Sequence, residues 1–238
     1  SFVTQSGSYK VIVDHCSFSW GTDETASIGG YPFTGSTVAE YRADTSHQIT
    51  FSNCLIYEPL TSSPGGGYGT LNEDNDTDIQ YYCNLWAHCP ERSPNFGGGA
   101  QGALINNYIY NPGGKFLDYT FLNSKWDSEG GGLRVNGKIT AIGNVGRDGP
   151  NSNTYAFIAA VSNGDVDYYG ADNMAKRANG TDIPQTYNST YLSPQGVVVV
   201  QNSPTVAIPN VSIMPSAIVE SYVLANAGAR PWDRDTHD

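Results

Sequence analysis

Arg92 sits in a setting that asks for a chemical explanation. It lies in the stretch Asn84-Leu-Trp-Ala-His-Cys-Pro-Glu-Arg-Ser-Pro-Asn-Phe96, between a glutamate and a Ser-Pro turn, directly after an apolar strand pattern. Lys and Arg make up only 12 of the 238 residues, so a cation at a strand end is a candidate for holding an anionic ligand. Taken alone it is also a solvated charge, or half of a weak ion pair with Glu91. His88 and Pro94 of the same stretch are candidates for lining a ligand groove beside it. Asp23 and Glu24, by themselves, read as an exposed acidic turn. Asp14-His15 could act as an acid–base pair, although hydrogen bonding at a chain bend is the first reading.

The run Asn72-Glu-Asp-Asn-Asp-Thr-Asp78 is acidic but lacks the glycine and terminal glutamate of an EF-hand loop. We read it as a solvated loop. Tyr68, Tyr81, Tyr82, Trp86 and Trp20 have the apolar body and polar tip that stack on sugars. Strand alternation sends about half of such residues into a core, and Tyr68, on a glycine-rich loop, is expected to reach a ligand.

The elements that position these residues follow from a repeat. Val11–Phe18, Ile49–Ile56, Ile79–Trp86, Ala103–Tyr110 and Ile139–Gly146 each open on apolar alternation, turn at a polar pair and resume with an apolar residue. Glycine-rich insertions separate them, as in Ser62–Gly69, Asn95–Gly102 and Ser128–Leu133. Such spacing suits stacked coils with variable loops on one face. Stacking at about 4.8 Å would place His15, Asn53, Cys83 and Asn107 in one column and Cys16, Cys54, Asn84 and Asn144 in the next. The expected fold is all-β: a right-handed parallel β-helix with long loops and a short C-terminal helix. One domain is expected over 1–238, with repeat coils at 1–146, irregular last coils and loops at 147–215, and helix plus tail at 216–238. Ser216 is the expected cap of a helix over Ala217–Ala227, with Ile218, Val219, Tyr222 and Val223 on one face and Gly228 as its stop.

Composition narrows the partners. A net charge of −11 with scattered Lys and Arg argues against nucleic acid, and no apolar run reaches the roughly 18 residues of a membrane helix. The first ten residues are not a signal peptide. Cys16, Cys54, Cys83 and Cys89 contain no C-x-x-C pair. Cys16 and Cys54 are expected as free buried thiols, and Cys83 with Cys89 is the pair better placed for a bridge. Sequons at Asn75, Asn179, Asn188 and Asn210 fit a secreted, extracellular glycoprotein.

Three segments, Val11–Glu24, Asn84–Phe96 and Val223–Asp235, together resemble the pectate lyase family, polysaccharide lyases of family 1. Val13-Asp14-His15 matches a strand-borne signature of that family, Arg92-x-Pro94 a second, and the third segment its C-terminal helix. The resemblance implies a parallel β-helix that cleaves polygalacturonate by β-elimination. Arg92 would be the base that takes the sugar's C5 proton, and Ca2+, held by Asp23 with Glu24 beside it, would bridge to the acidic polysaccharide. A cation next to the substrate carboxylate is what makes the C5 proton removable at all. The sequence also departs from the family. Ser27 stands where relatives have a second carboxylate, the stretch Glu58–Thr70 has no counterpart of their lysine, and Asn95 or the following glycines replace their second arginine. A non-catalytic β-helix that binds acidic glycan or assembles structurally is therefore an alternative. A glycoside hydrolase using Asp14, Asp23 and Glu24 is a third. A solenoid that begins mid-coil would present an open edge, to be covered by an N-terminal portion or a partner chain.

Overall fold

The computed structural model describes residues 1–5, 7–30, 33–60, 67–128, 132–188, 195–208 and 210–233. Among these residues twenty short strands wind into a parallel β-helix with three walls. The first wall is β2 (Tyr9–Asp14), β5 (His47–Ser52), β8 (Thr77–Tyr82), β11 (Gln101–Ile105), β14 (Gly137–Ile142), β17 (Val166–Ala171) and β20 (Val198–Val200). The second is β3 (Ser17–Ser19), β6 (Leu55–Tyr57), β9 (Leu85–Ala87), β12 (Tyr108–Tyr110), β15 (Val145–Arg147) and β18 (Met174–Lys176). The third is β7 (Leu71–Asn72), β10 (Asn95–Gly97), β13 (Lys115–Thr120), β16 (Ala156–Ala160) and β19 (Thr186–Asn188). The pair β1 (Phe2–Val3) and β4 (Ala26–Ser27) joins it through a bridge from Ile28 to Asn72.

Alternation sets the core. In the first wall Ile49, Phe51, Ile79, Tyr81, Leu104, Ile139 and Val166 are buried, while Ile12 between two such positions is exposed. Ile56, Trp86 and Ile109 face the same interior from the second wall, and Phe96 from the third. Each large apolar side chain so buried contributes roughly 1.5–3 kcal/mol before its ordering cost. Tyr81 and Trp86 are fully buried, which removes them from the set of sugar-stacking candidates.

Asparagines line the sharp turn between the first two walls; Asn84 and Asn144 share a column as the sequence alignment has them, and Asn107 alone is one residue out of step with it. Asn84, Asn107, Asn144 and Asn173 form the column, each side-chain amide donating to the next side-chain oxygen at 2.9–3.0 Å. Each oxygen also accepts a backbone N–H from the coil before it. The residue ahead of this column takes a left-handed conformation in every coil: His15, Asn53, Cys83, Asn106, Gly143 and Asp172. Asn107 therefore pairs with Asn84, and Asn106 with Cys83. The alignment slipped because the inward position that opens β11 is Gly102, paired with Ile79. A Cβ at Gly102 would lie 2.6 Å from the Phe96 ring, so the ring fills the space that an aliphatic residue takes elsewhere.

The repeat also persists beyond residue 150, since β17 pairs with β14 along its whole length and β20 with β17. Among the described residues three helices decorate the coils. α1 (Val38–Asp44) starts in a capping box between Thr37 and Glu40. α2 (Asn123–Ser128) buries Trp126. α3 (Ser216–Asn226) covers the second wall with Val219, Val223 and the following Ala227, whereas Ile218 and Tyr222 are exposed. Ser216 does not cap α3. Its backbone N–H and hydroxyl both donate to Asp172, each at 2.8 Å, so the carboxylate that caps this helix comes from the turn after β17. The tail 234–238, like most of the glycine-rich loop at 61–66, lies outside the described residues.

All four cysteines are free. Cys83 belongs to the cluster beneath α3 and Cys89 to the solenoid interior, so the wall separates the pair that spacing favoured for a bridge. Burial pushes the thiols of Cys54, Cys83 and Cys89 up to about 12. Cys54 is buried as expected, but Cys16 only half so.

Candidate active-site groove

Glu24, Tyr68 and Glu91 form a row of parallel bridges at the entrance to the third wall. Arg92 follows in a left-handed conformation, φ 63°, ahead of a cis peptide to Pro94. Its carbonyl oxygen accepts from Thr70 N at 2.7 Å. The chain passes so close here that a Cβ on Gly69 would lie 2.5 Å from that oxygen, so the position requires glycine.

The Arg92 side chain is fixed from two sides. Its guanidinium stacks 3.8 Å from the centre of the Tyr68 ring and forms an ion pair with Glu24. Burial lowers its pKa, against the charges of Asp23 and Asp118, which raise it. The Glu24 contact also favours the charged form, so Arg92 can accept a proton only after that pair opens. Behind it, Lys115 pairs with Glu91 and lies 3.4 Å from Asp118. Burial raises the Asp118 carboxyl to about 6, with Lys115 pulling the other way. One Asp118 oxygen has no hydrogen-bond partner.

Next to this cluster the outer face of the third wall forms a groove of about 130 Å3, lined by Arg92, Leu71, Asn95, Thr120, Lys125, Glu73 and their neighbours. Arg92, Tyr68 and Glu24 thus meet at one point, with Asp23 exposed beside them; the sequence offers Glu91 as the partner of Arg92 and Glu24 as a metal ligand. Pro94 is buried and shapes the backbone rather than touching a ligand. His88 lines a different cavity of about 290 Å3, with Tyr57, Tyr110 and Leu224; its Nδ1 is 2.7 Å from the Asn111 amide. Asp14 and His15 share a 2.7 Å hydrogen bond on the half-exposed first turn, away from the groove. Burial works to raise the Asp14 pKa, but hydrogen bonds from Ser52, His15 and Asn53 prevail and lower it. That arrangement agrees with a structural role at the bend.

The acidic run is not a solvated loop. Asp74 is buried, accepting from Gly98 N at 2.5 Å and Trp126 Nε1 at 3.2 Å and pairing with Lys125. Asp76 is fully buried with neither oxygen partnered, and burial raises its pKa well above the usual range. Sequence reasoning missed Lys125, which no motif marks. It also passed over Thr120 and treated Asn95 only as a loss. Of the sequons, Asn75 is buried while Asn179 and Asn210 are exposed.

The Ca2+ that the resemblance implies does not find its donors at Asp23 and Glu24. Glu24 is committed to Arg92, and among the described residues no three Asp, Glu, His or Cys side chains converge on one point. Hard cations of this kind take six or more oxygens.

No family model matches the chain. It is 30% identical over 226 residues to the "Probable pectate lyase C" of Neosartorya fischeri, covering 92% of this chain and 45% of that protein. It is 28% identical over 183 residues to the protein of the same name from Aspergillus flavus, covering 73% of this chain and 35% of that one. The chain spans less than half the length of these curated relatives. Among solved structures, a thermostable pectate lyase superimposes with a TM-score of 0.53 at 13% identity, over 98% of this chain and 64% of its own. The likeness in sequence to the fungal proteins and the shared three-walled coil agree: the chain is a homologue of the pectate lyases, folded as a parallel β-helix.

Proposed function

We propose that the chain carries the substrate groove of a secreted polysaccharide lyase that cleaves an acidic, pectate-like polyuronate by β-elimination. The observation that carries this reading is Arg92, held on the Tyr68 ring at the mouth of a groove that contains a second cation. In the reaction the C5 proton leaves to a base, its electrons form the C4=C5 double bond, and the C4–O bond breaks, the departing oxygen taking a proton from water. Arg92 is the base. Its lowered pKa supports that role, and the charge it gains stabilises the adjacent substrate carboxylate. The arriving sugar carboxylate displaces Glu24 from the guanidinium, and Arg92 releases a proton to water before it takes the one from C5. Tyr68 keeps the guanidinium in place by cation–π contact.

No step is routed through Ca2+, because the donor set does not suit it. The relatives' substrate, a polymer found outside cells, accords with secretion; among the described residues no helix is long and apolar enough to cross a membrane. Strands β2 and β3 end their sheets and leave backbone groups available to a further coil or a partner chain.

The test is ultraviolet absorbance of the unsaturated product on polygalacturonate. A rise in wild type that disappears in Arg92→Ala is expected. Turnover that is unchanged in Arg92→Ala sinks the assignment of Arg92 as base. Binding without turnover is the second reading, favoured by the closed Arg92–Glu24 pair, and it is the outcome if that pair does not open.

A further inference from the structure

The groove beside Arg92 contains a lysine that is already built into a site. Lys125 Nζ lies 2.9 Å from Glu73 Oε2 and 2.5 Å from Asp74 Oδ2, and its side chain stays 31% exposed. Asp74 cannot move with a ligand, because it is buried and accepts from Gly98 N and Trp126 Nε1. Glu73 is half-buried and has no such anchor among the described hydrogen bonds. The ammonium is thus held from below by a fixed carboxylate and from the side by a movable one. Its helix is pinned too: Trp126 is fully buried, with ring centres of Phe121 and Phe33 both 4.7 Å away. Burial disfavours the charge on Lys125, but Asp74 and Glu73 outweigh it and raise its pKa.

An ammonium has three donors, and two are used here. A lysine whose chain is already ordered loses little entropy when it takes a ligand. A polyuronate carries one carboxylate per sugar, and this groove carries two cations, Arg92 and Lys125, with the neutral Asn95 and Thr120 among its lining. We propose that Lys125 is a fixed cation that receives the substrate carboxylate next along the chain from the one at Arg92, doing the work of a bridging metal ion. This rests on reading the groove as a polyuronate site. Where a metal would join protein carboxylates to substrate carboxylate, the Lys125 ammonium joins Glu73 and Asp74 to it. Specificity follows: the un-esterified sugar is preferred at this position, since a methyl ester cannot pair with the ammonium.

The experiment is calorimetric binding of saturated trigalacturonate and its methyl ester to the full chain in metal-free buffer with EDTA, alongside turnover of polygalacturonate. Wild type is expected to bind the acid under these conditions. Lys125→Gln should weaken acid binding by about ten- to a hundredfold, the range of one charge-assisted hydrogen bond, and leave the ester within about twofold. Lys125→Arg should restore most of the loss. Glu73→Gln, which frees the ammonium from its movable partner, should tighten acid binding and keeps the proposal testable if Lys125→Gln fails to fold. Equal affinity for the acid in wild type and a folded Lys125→Gln overturns the proposal, as does binding in wild type that appears only when Ca2+ is added. Acid binding without turnover that still depends on Lys125 supports this inference while rejecting the lyase reading. No binding of the acid by wild type in either buffer overturns both.

Discussion

The asparagine turn and the Arg92 groove are two corners of one solenoid, built on opposite plans. At the turn the same residue type recurs from coil to coil, and each amide donates both to a backbone carbonyl and to the next asparagine. The side-chain amides of Asn84, Asn107 and Asn144 all have partners, although the Asn53 oxygen at the same turn has none, and the result is a rigid spine. The groove side has no repeating residue. Glu24, Tyr68 and Glu91 stand in one row, and Asp118, joined to Glu91 through Lys115, keeps a buried oxygen without a partner. A fold satisfies its buried polar atoms where only stability is at stake, and groups left unsatisfied or shifted in pKa gather where a ligand is to be met. The comparison therefore separates residues that hold the coil from residues of the proposed site.

The largest expected effect falls on the groove. Arg92→Ala should lower the rate of unsaturated-product formation by about a thousandfold, within the range for loss of a general base, and move the melting temperature little. A comparable fall in stability would put Arg92 with the spine instead.

Asn107→Ala should do the reverse. It strands the Asn84 N–H and the Tyr81 carbonyl in the interior, at a cost of about 3 kcal/mol, read as a fall of about 6–12 °C in thermal melting for a domain of this size. Activity per folded molecule should be unchanged.

Asp118 sharpens the contrast through pH. Its folded pKa is raised to about 6 from an ordinary 3.8, so the folded state holds the proton more tightly than the unfolded one. Its contribution is fully present below about 3.8 and is lost as pH rises toward 6. Asp118→Asn should flatten the decline in stability between those values in urea titrations at stepped pH. An unchanged slope would show that Lys115 keeps Asp118 ionised in the fold.

The smallest effect is at α3. Asp172→Ala removes the carboxylate that caps the helix and should cost about 1 kcal/mol, seen as a shift of the urea midpoint without change in turnover.

The parts legible in the sequence are those that local chemistry dictates. Apolar alternation and the polar pair at each turn marked the coils, and Arg92 announced itself as a lone cation after a strand. The Thr37–Glu40 capping box that starts α1 is a local signal of the same kind, although the sequence reading passed over it. Other parts were hidden because side chains from different coils exchange roles. Gly102 reads as a break in the pattern until the Phe96 ring is seen to occupy its space. The run Asn72–Asp78 reads as solvated until Trp126 and Lys125, some fifty residues later, are seen to close over Asp74. Pro94 and His88 read as groove residues, but one is buried in the wall and the other faces a different cavity.

By itself the sequence determined the parallel coil, because the alternation of apolar residues within each coil is a local property that only stacking can satisfy. Only the tertiary structure decided the rest: that Glu24 holds Arg92, that the asparagines align at 84, 107, 144 and 173, and that Lys125 enters the groove. These depend on loop lengths and on which coil lies over which, and such contacts between residues far apart in the chain leave no periodic trace in it.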